Sequence, residues 1–214
     1  MARTRIKICG IRDEEGLLAA AEAGADAVGF VFVESSPRYI APEGAWKLMA
    51  LLPPMVASVG LHQNPGVDDF AEIEQVCPTT LTQLHGTERD QIVEMIGPDV
   101  IKAVRFDPET IGERLRHYDD FAEVSAILVD GSAGGEGVAF DWKQLTPHLE
   151  GITKPIFLAG GLTPENVGEA IRAVRPFAVD VSSGVERERG VKDAGLIRAF
   201  CEAVTRADSE LLQS

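Results

Sequence analysis

Short apolar runs and helix-like segments alternate along this chain from one end to the other, and no other feature constrains its fold as tightly. The apolar runs are Ile6–Cys9, Ala27–Val33, Val56–Leu61, Leu81–Leu84, Val100–Val104, Ala126–Val129, Ile156–Ala159 and Phe177–Val181. Most are continuous rather than alternating, which is the pattern of parallel strands buried on both faces. Between them stand helical patterns over Asp13–Ala23, Pro42–Leu52, Val67–Val76, Glu88–Ile96 and Pro108–His117. A short helix is expected over Asp141–Leu149, another segment follows Val167, and a last helix covers Ala194–Ala207. The tail Glu210–Ser214 is expected to fray. Strands that alternate with helices imply an α/β protein with a parallel sheet. Eight such units favour a closed (β/α)8 barrel over an open, doubly wound sheet. A length of 214 residues suits one domain over 1–214, and a hydrophobic fraction of 45% is enough to fill its core.

The formal net charge of −14 argues against general nucleic-acid binding, which wants a basic face. It also means that an anionic ligand needs local donors to hold it. The three cysteines, Cys9, Cys77 and Cys201, are too few for a disulfide framework. The N-terminus has no apolar core of a secretory signal. The longest apolar stretch, Leu48–Leu61, is broken by Pro53-Pro54 and is too short to span a bilayer. A cytoplasmic protein with neither nucleic-acid nor membrane partners is therefore expected.

In such barrels the reactive groups stand at the C-terminal ends of the strands. Strand one ends in Cys9-Gly10, and the loop after strand two carries Ser36-Pro37-Arg38-Tyr39. Strand three runs into His62-Gln63-Asn64, and strand four carries Gln83 and ends in His85-Gly86. Strand five ends in Arg105, strand six in Asp130, and strand eight carries Asp180. His62 reads as structural, and Cys77 and Cys201 read as small buried hydrophobes. An aspartate inside a run as apolar as Phe177–Val181 needs a partner, and Lys7, on the strand face of Cys9, can supply one. The last two strands end in small residues, Gly160-Gly161 and Ser182-Ser183-Gly184. Backbone N–H groups at two such neighbouring ends can converge on one anion. Barrels of this type commonly hold phosphate there. The other reading of these residues is a pair of ordinary strand-to-helix turns.

Taken in order, these pieces resemble the phosphoribosylanthranilate isomerase family over nearly the whole chain. The resemblance is carried by Lys7-Ile8-Cys9-Gly10, Gly24-Ala25-Asp26-Ala27-Val28-Gly29-Phe30-Val31-Phe32 and Ser36-Pro37-Arg38-Tyr39-Ile40. It continues through Gln83-Leu84-His85-Gly86, Leu128-Val129-Asp130, Phe140-Asp141-Trp142, Gly160-Gly161-Leu162-Thr163-Pro164 and Asp180-Val181-Ser182-Ser183-Gly184-Val185-Glu186. It implies a (β/α)8 barrel that uses no cofactor and no metal, acting as monomer or homodimer on a small phosphorylated substrate. The implied reaction is the Amadori rearrangement of N-(5-phosphoribosyl)anthranilate in tryptophan biosynthesis. By this resemblance Cys9 is the general base, Asp130 the general acid and Arg38 the contact for the anthranilate carboxylate, on a loop expected to be mobile. His85, Gly160, Gly161, Asp180, Ser182, Ser183 and Gly184 are expected to bind substrate.

The chain departs from the family pattern in places. The loop Gly134-Gly135-Glu136-Gly137-Val138 carries an acid where a base is usual, and Arg105 is unusual. Two related enzymes and one non-enzyme compete with the leading reading. A dual-substrate isomerase related to histidine biosynthesis would carry an aspartate at the position of Cys9. An indole-glycerol-phosphate synthase would need a lysine acid. A non-catalytic phosphate-binding barrel would not need Cys9 and Asp130. The mechanism requires Cys9 as thiolate, hence a lowered pKa, with Lys7 as the charge that lowers it, or assistance from substrate.

Overall fold

The computed structural model describes residues 3–131 and 140–213. The loop departures at Gly134–Val138, including Glu136, therefore lie outside the described residues. Eight parallel strands close into one barrel in chain order. They are β1 (Arg5–Cys9), β2 (Ala27–Val31), β3 (Ala57–His62), β4 (Leu81–Leu84), β5 (Val100–Arg105), β6 (Val124–Asp130), β7 (Ile156–Leu158) and β8 (Ala178–Val181). Closure is made by β1 against β8, in a register that sets Lys7 beside Asp180. Inside the barrel a small cluster built largely of alanines, with Val59, Ile101, Leu128 and Phe157, fills the centre. Small side chains there leave depth for Lys7 and Gln83, both almost fully buried.

The outer layer consists of α1 (Glu14–Glu22), α2 (Pro42–Met49), α3 (Val67–Val76), α4 (Asp90–Ile96), α5 (Ile111–Asp119), α6 (Val167–Val174) and α7 (Ala194–Gln213). Asp13 caps α1 by accepting from the Gly16 N–H at 2.7 Å, which satisfies one of the helix's orphan donors. Among the described residues no helix is long and apolar enough to cross a membrane.

Four local expectations need correction. The segment Asp141–Leu149 is not an α-helix but two 3-10 turns, Trp142–Gln144 and Thr146–Leu149. Pro147 lacks the N–H that a helix would need, and it disfavours the helical region for Thr146 before it. The C-terminal tail is not frayed, because α7 runs on to Gln213. Leu211 packs on the core there, and Glu210 meets Arg172 at 2.9 Å. Glu88 does not start α4. Its buried carboxylate meets Lys102 at 2.8 Å and accepts from the Asn64 and Gly86 N–H groups. Phe177 lies outside the strand core and is 43% exposed, under the Arg5 guanidinium. A short antiparallel hairpin not foreseen from sequence, β9 (Glu186–Glu188) and β10 (Val191–Lys192), follows β8.

His62 is buried between the rings of Phe32 and Phe70, at centroid distances of 5.3 and 5.0 Å. Its Nε2 has no hydrogen-bond partner among the described residues. Burial lowers its pKa from the ordinary 6.5 to about 4, against a small opposing pull from Glu88. The unfolded chain therefore takes up this proton first, and stability is lost as pH falls from about 6.5 to about 4. The full loss is about 3 kcal/mol at most. Urea titrations at pH 7 and pH 4.5 are expected to show a larger pH-dependent loss for wild type than for His62→Leu. Equal losses in the two proteins would count against this account.

Candidate active site at the barrel mouth

The C-terminal ends of the strands surround a pocket lined by Cys9, Val31, Val33, Ser36, Arg38, Leu61, Gln63, Gln83, His85, Asp130, Asp180 and Ser182. A second, smaller pocket shares Asp130, Asp180 and Ser182 and adds Ala159, Gly160, Gly161, Leu162, Val181 and Ser183. One mouth therefore has two compartments. The first is partly apolar, with an arginine on its wall. The second is walled by the ends of β7 and β8.

Cys9 ends β1 and is 4% exposed. Its neighbour across the register is Gly29 on β2. A Cβ at Gly29 would come within 2.8 Å of Cys9 Sγ and 3.3 Å of Lys7 Nζ. The missing side chain at position 29 is thus the space that the thiol and the ammonium occupy. Lys7 Nζ donates to Asp180 Oδ1 at 2.9 Å. Burial opposes the charge on Lys7, but Asp180 and Cys9 together raise its pKa above the ordinary lysine value, so it stays cationic. The lowered thiol pKa anticipated for Cys9 is not what the site produces. Burial is the largest influence and pushes the Cys9 pKa up; Lys7 and Lys192 pull it down, and Asp180 pushes it up further. Desolvation outweighs two nearby cations because the residue is only 4% exposed.

Asp130 ends β6, three strands from Cys9 around one side of the barrel. His85 Nε2 stands 3.3 Å from Asp130 Oδ2. The other ring nitrogen, Nδ1, is 2.8 Å from Gln83 Nε2. With the amide as donor, the imidazole proton sits on Nε2 and faces Asp130. In that orientation Gln83 Oε1 is buried without a partner among the described residues. Turning the amide over places Oε1 on Nδ1–H and leaves Nε2 an acceptor facing Asp130. His85, expected as a substrate contact, is thus first of all a neighbour of Asp130.

Arg38 is 7% exposed and its loop is tied down rather than loose. Its Nε and Nη2 donate to Glu186 Oε1 and Oε2 at 2.7 and 3.0 Å. Arg12 holds the Pro37 carbonyl at 2.8 Å, and Ile40 N–H bonds to Val31 at the end of β2. Gly160 and Gly161 have φ of 88° and 64°, a left-handed pair that other residues adopt only with strain, and a Cβ at Gly160 would overlap the Gly131 nitrogen. A 3-10 turn over Ser183–Val185 starts beside them and presents its own N-terminal N–H groups. Gly184 lines neither compartment. A Cβ there would overlap the Leu162 carbonyl, so its glycine serves loop packing. Arg105 lies outside both compartments too, at the edge of a neighbouring cleft with Arg114.

Sequence reasoning gave no role to Gly29, Gln83, Glu186 or Lys192. No local signal marked Lys192: Arg189-Gly190 is not one of the pairs that favour a two-residue hairpin turn, and only Gly190 of the two has a positive φ.

The model of the family described as N-(5'phosphoribosyl)anthranilate (PRA) isomerase matches residues 6–203. A protein of that name from Pseudomonas putida is 47% identical over 97% of this chain and 100% of its own length. The solved structure of phosphoribosyl anthranilate isomerase from Thermotoga maritima superposes with a TM-score of 0.86 at 40% identity, covering 95% of this chain and 99% of that one. A second structure of such an isomerase, in complex with reduced 1-(o-carboxyphenylamino)-1-deoxyribulose 5-phosphate, gives a TM-score of 0.84 at 40% identity over the same shares.

Proposed function

The chain belongs to the N-(5'-phosphoribosyl)anthranilate isomerase family, and from this we infer what each part of its barrel mouth does. The enzyme is an aldose–ketose isomerase of tryptophan biosynthesis. It converts N-(5-phosphoribosyl)anthranilate to 1-(2-carboxyphenylamino)-1-deoxyribulose 5-phosphate. The observation that carries the assignment of roles is one pocket holding a cysteine and an aspartate from strands far apart in the barrel, continuous with a glycine-lined compartment.

The phosphate occupies the compartment of Gly160, Gly161, Ser182 and Ser183. Described acids line it but no described cation does, so backbone N–H groups are the donors. The aryl ring lies along Val31, Val33 and Leu61, with its carboxylate toward Arg38. Glu186 takes the edge formed by Nε and Nη2, which sets the plane the guanidinium presents to the carboxylate. The ribose is left between Cys9 and Asp130.

Asp130, protonated and backed by His85, gives its proton to the furanose ring oxygen, and the C1′–O bond breaks to leave a protonated Schiff base. Cys9 then removes the C2′ proton, giving an enolamine that tautomerises to the ketone. Since burial favours the thiol in the resting enzyme, Cys9 must first give its S–H proton to solvent, and only the thiolate so formed takes the C2′ proton. The cation at the Schiff base acidifies C2′–H and places positive charge beside the sulfur when it is needed.

Mixing the purified protein with freshly made phosphoribosylanthranilate tests the reading. Loss of anthranilate-type fluorescence well beyond spontaneous decay is the expected result, and decay at the buffer rate would reject it. A non-catalytic phosphate-binding barrel would give the second outcome.

A further inference from the structure

We propose that Glu186 and Lys192, on the β9–β10 hairpin, are positioning residues that set the preference of the site for a substrate bearing a carboxylate. The inference rests on the reading that Arg38 meets the aryl carboxylate. Glu186 is held by four donors. Its Oε1 accepts from Arg38 Nε at 2.7 Å and Lys192 Nζ at 2.8 Å; its Oε2 accepts from Arg38 Nη2 at 3.0 Å and the Gly190 N–H at 3.1 Å. Two parallel bonds along one guanidinium edge fix the plane of the group as well as its position. An arginine on a loop otherwise samples many rotamers, and ordering it on binding costs affinity. Here the ordering is done before substrate arrives.

Lys192 makes the clamp rigid. It is 7% exposed, and its Nζ also donates to the Ser182 carbonyl at 3.0 Å and Ser182 Oγ at 3.2 Å. Ser182 Oγ in turn donates to the Cys9 carbonyl at 3.0 Å. The hairpin register sets Lys192 opposite Glu186. A continuous set of hydrogen bonds therefore runs from the guanidinium that faces the aryl group to the strand that carries the base. Burial works against the charge on Glu186, yet Arg38 and Lys192 hold its carboxyl below the ordinary range, so Glu186 is ionised at neutral pH; burial lowers the Lys192 pKa against the pull of Glu186. Buried ion pairs of this kind seldom add stability over apolar packing, so positioning is the better account of why one sits in the pocket wall.

The test compares two substrates, the phosphoribosyl adducts of anthranilate and of aniline, which lacks the carboxylate. Wild type is expected to prefer the first by more than tenfold in kcat/KM. Glu186→Gln is expected to lose at least tenfold more on the anthranilate adduct than on the aniline adduct, chiefly through KM. Glu186→Asp, which keeps the charge, should recover part of the preference. If Glu186→Gln does not fold, as judged by circular dichroism, Lys192→Met is measured in its place, with a loss of preference of threefold or more expected. Equal losses on both substrates would mean a merely structural clamp and would overturn the proposal. An undiminished preference in the variants would overturn it too, while leaving the Arg38 reading intact. No preference in wild type would reject the Arg38 reading itself and this inference with it.

Discussion

Replacing Cys9 by serine is expected to lower kcat by about 10² to 10⁴-fold, and so is replacing Asp130 by asparagine, with the fold intact in both. The reasons differ at the two positions. Serine keeps the shape of cysteine, but its hydroxyl is far harder to ionise, so the C2′ proton has no acceptor. Asparagine keeps the shape of aspartate and can still meet His85, but it has no carboxyl proton to give to the ring oxygen. Cys9 lies outside the phosphate compartment, so for Cys9→Ser KM should change much less than kcat; Asp130 lines that compartment, so no such limit on KM holds for Asp130→Asn. The raised Cys9 pKa shapes the pH profile. For the free enzyme the active form pairs a Cys9 thiolate with a protonated Asp130, and with the Cys9 pKa raised this is a minor species, so kcat/KM should fall towards both acid and alkaline pH. Steady-state rates from pH 6 to 9 with matched circular dichroism spectra would decide both points. A Cys9→Ser enzyme that keeps most of its kcat would show that another group is the base.

Removing the charge of Lys7 alone is expected to have the largest effect on stability, about 3 to 5 kcal/mol for Lys7→Met. Asp180, itself 7% exposed, would be left as a buried carboxylate without the partner now 2.9 Å away. The double variant Lys7→Met/Asp180→Leu removes both charges from the same neighbourhood. It should regain most of the lost stability, since an apolar pair of similar volume often matches a buried ion pair. It should not regain activity, because the cation beside Cys9 is still gone. Urea midpoints for the two variants and wild type give the comparison. A double variant as unstable as the single one would mean that the cost came from packing and not from the uncompensated charge.

Most of the barrel was legible in the chain because buried parallel strands are continuous apolar runs, and continuity survives without knowing any partner. Leu81–Leu84 and Val67–Val76 have the bounds the pattern suggested. What the pattern missed turned on single residues acting against their surroundings. Pro147 broke a segment whose composition favours helix. Leu211 and Glu210 found tertiary partners that carry α7 past the expected end. In the site, strand ends marked Cys9, Arg38, His85 and Asp130 as candidates, because position in a repeating unit is itself readable. The pairings were less visible. Arg38 and Glu186 are 148 residues apart, and nothing local to either names the other. The direction of the Cys9 pKa was out of reach for a similar reason: the nearby lysine could be guessed, but the degree of enclosure that outweighs it could not.

The contact between Lys7 and Asp180 spans 173 residues and joins the first strand to the last. The chemistry is therefore a property of the finished ring. A chain emerging from the ribosome carries its thiol from the start, yet the anion that holds the lysine beside it arrives only with β8. Besides Asp130 of β6, the phosphate compartment is lined from β7, β8 and the turns after them, so a seven-stranded intermediate lacks Asp180, Val181, Ser182 and Ser183 of it as well. The β1–β8 pairing has the greatest sequence separation in the ring, so it cannot form before the last strand is made. Turnover thus reports barrel closure directly, and split or permuted versions of this chain can be scored for completion of the ring by activity alone.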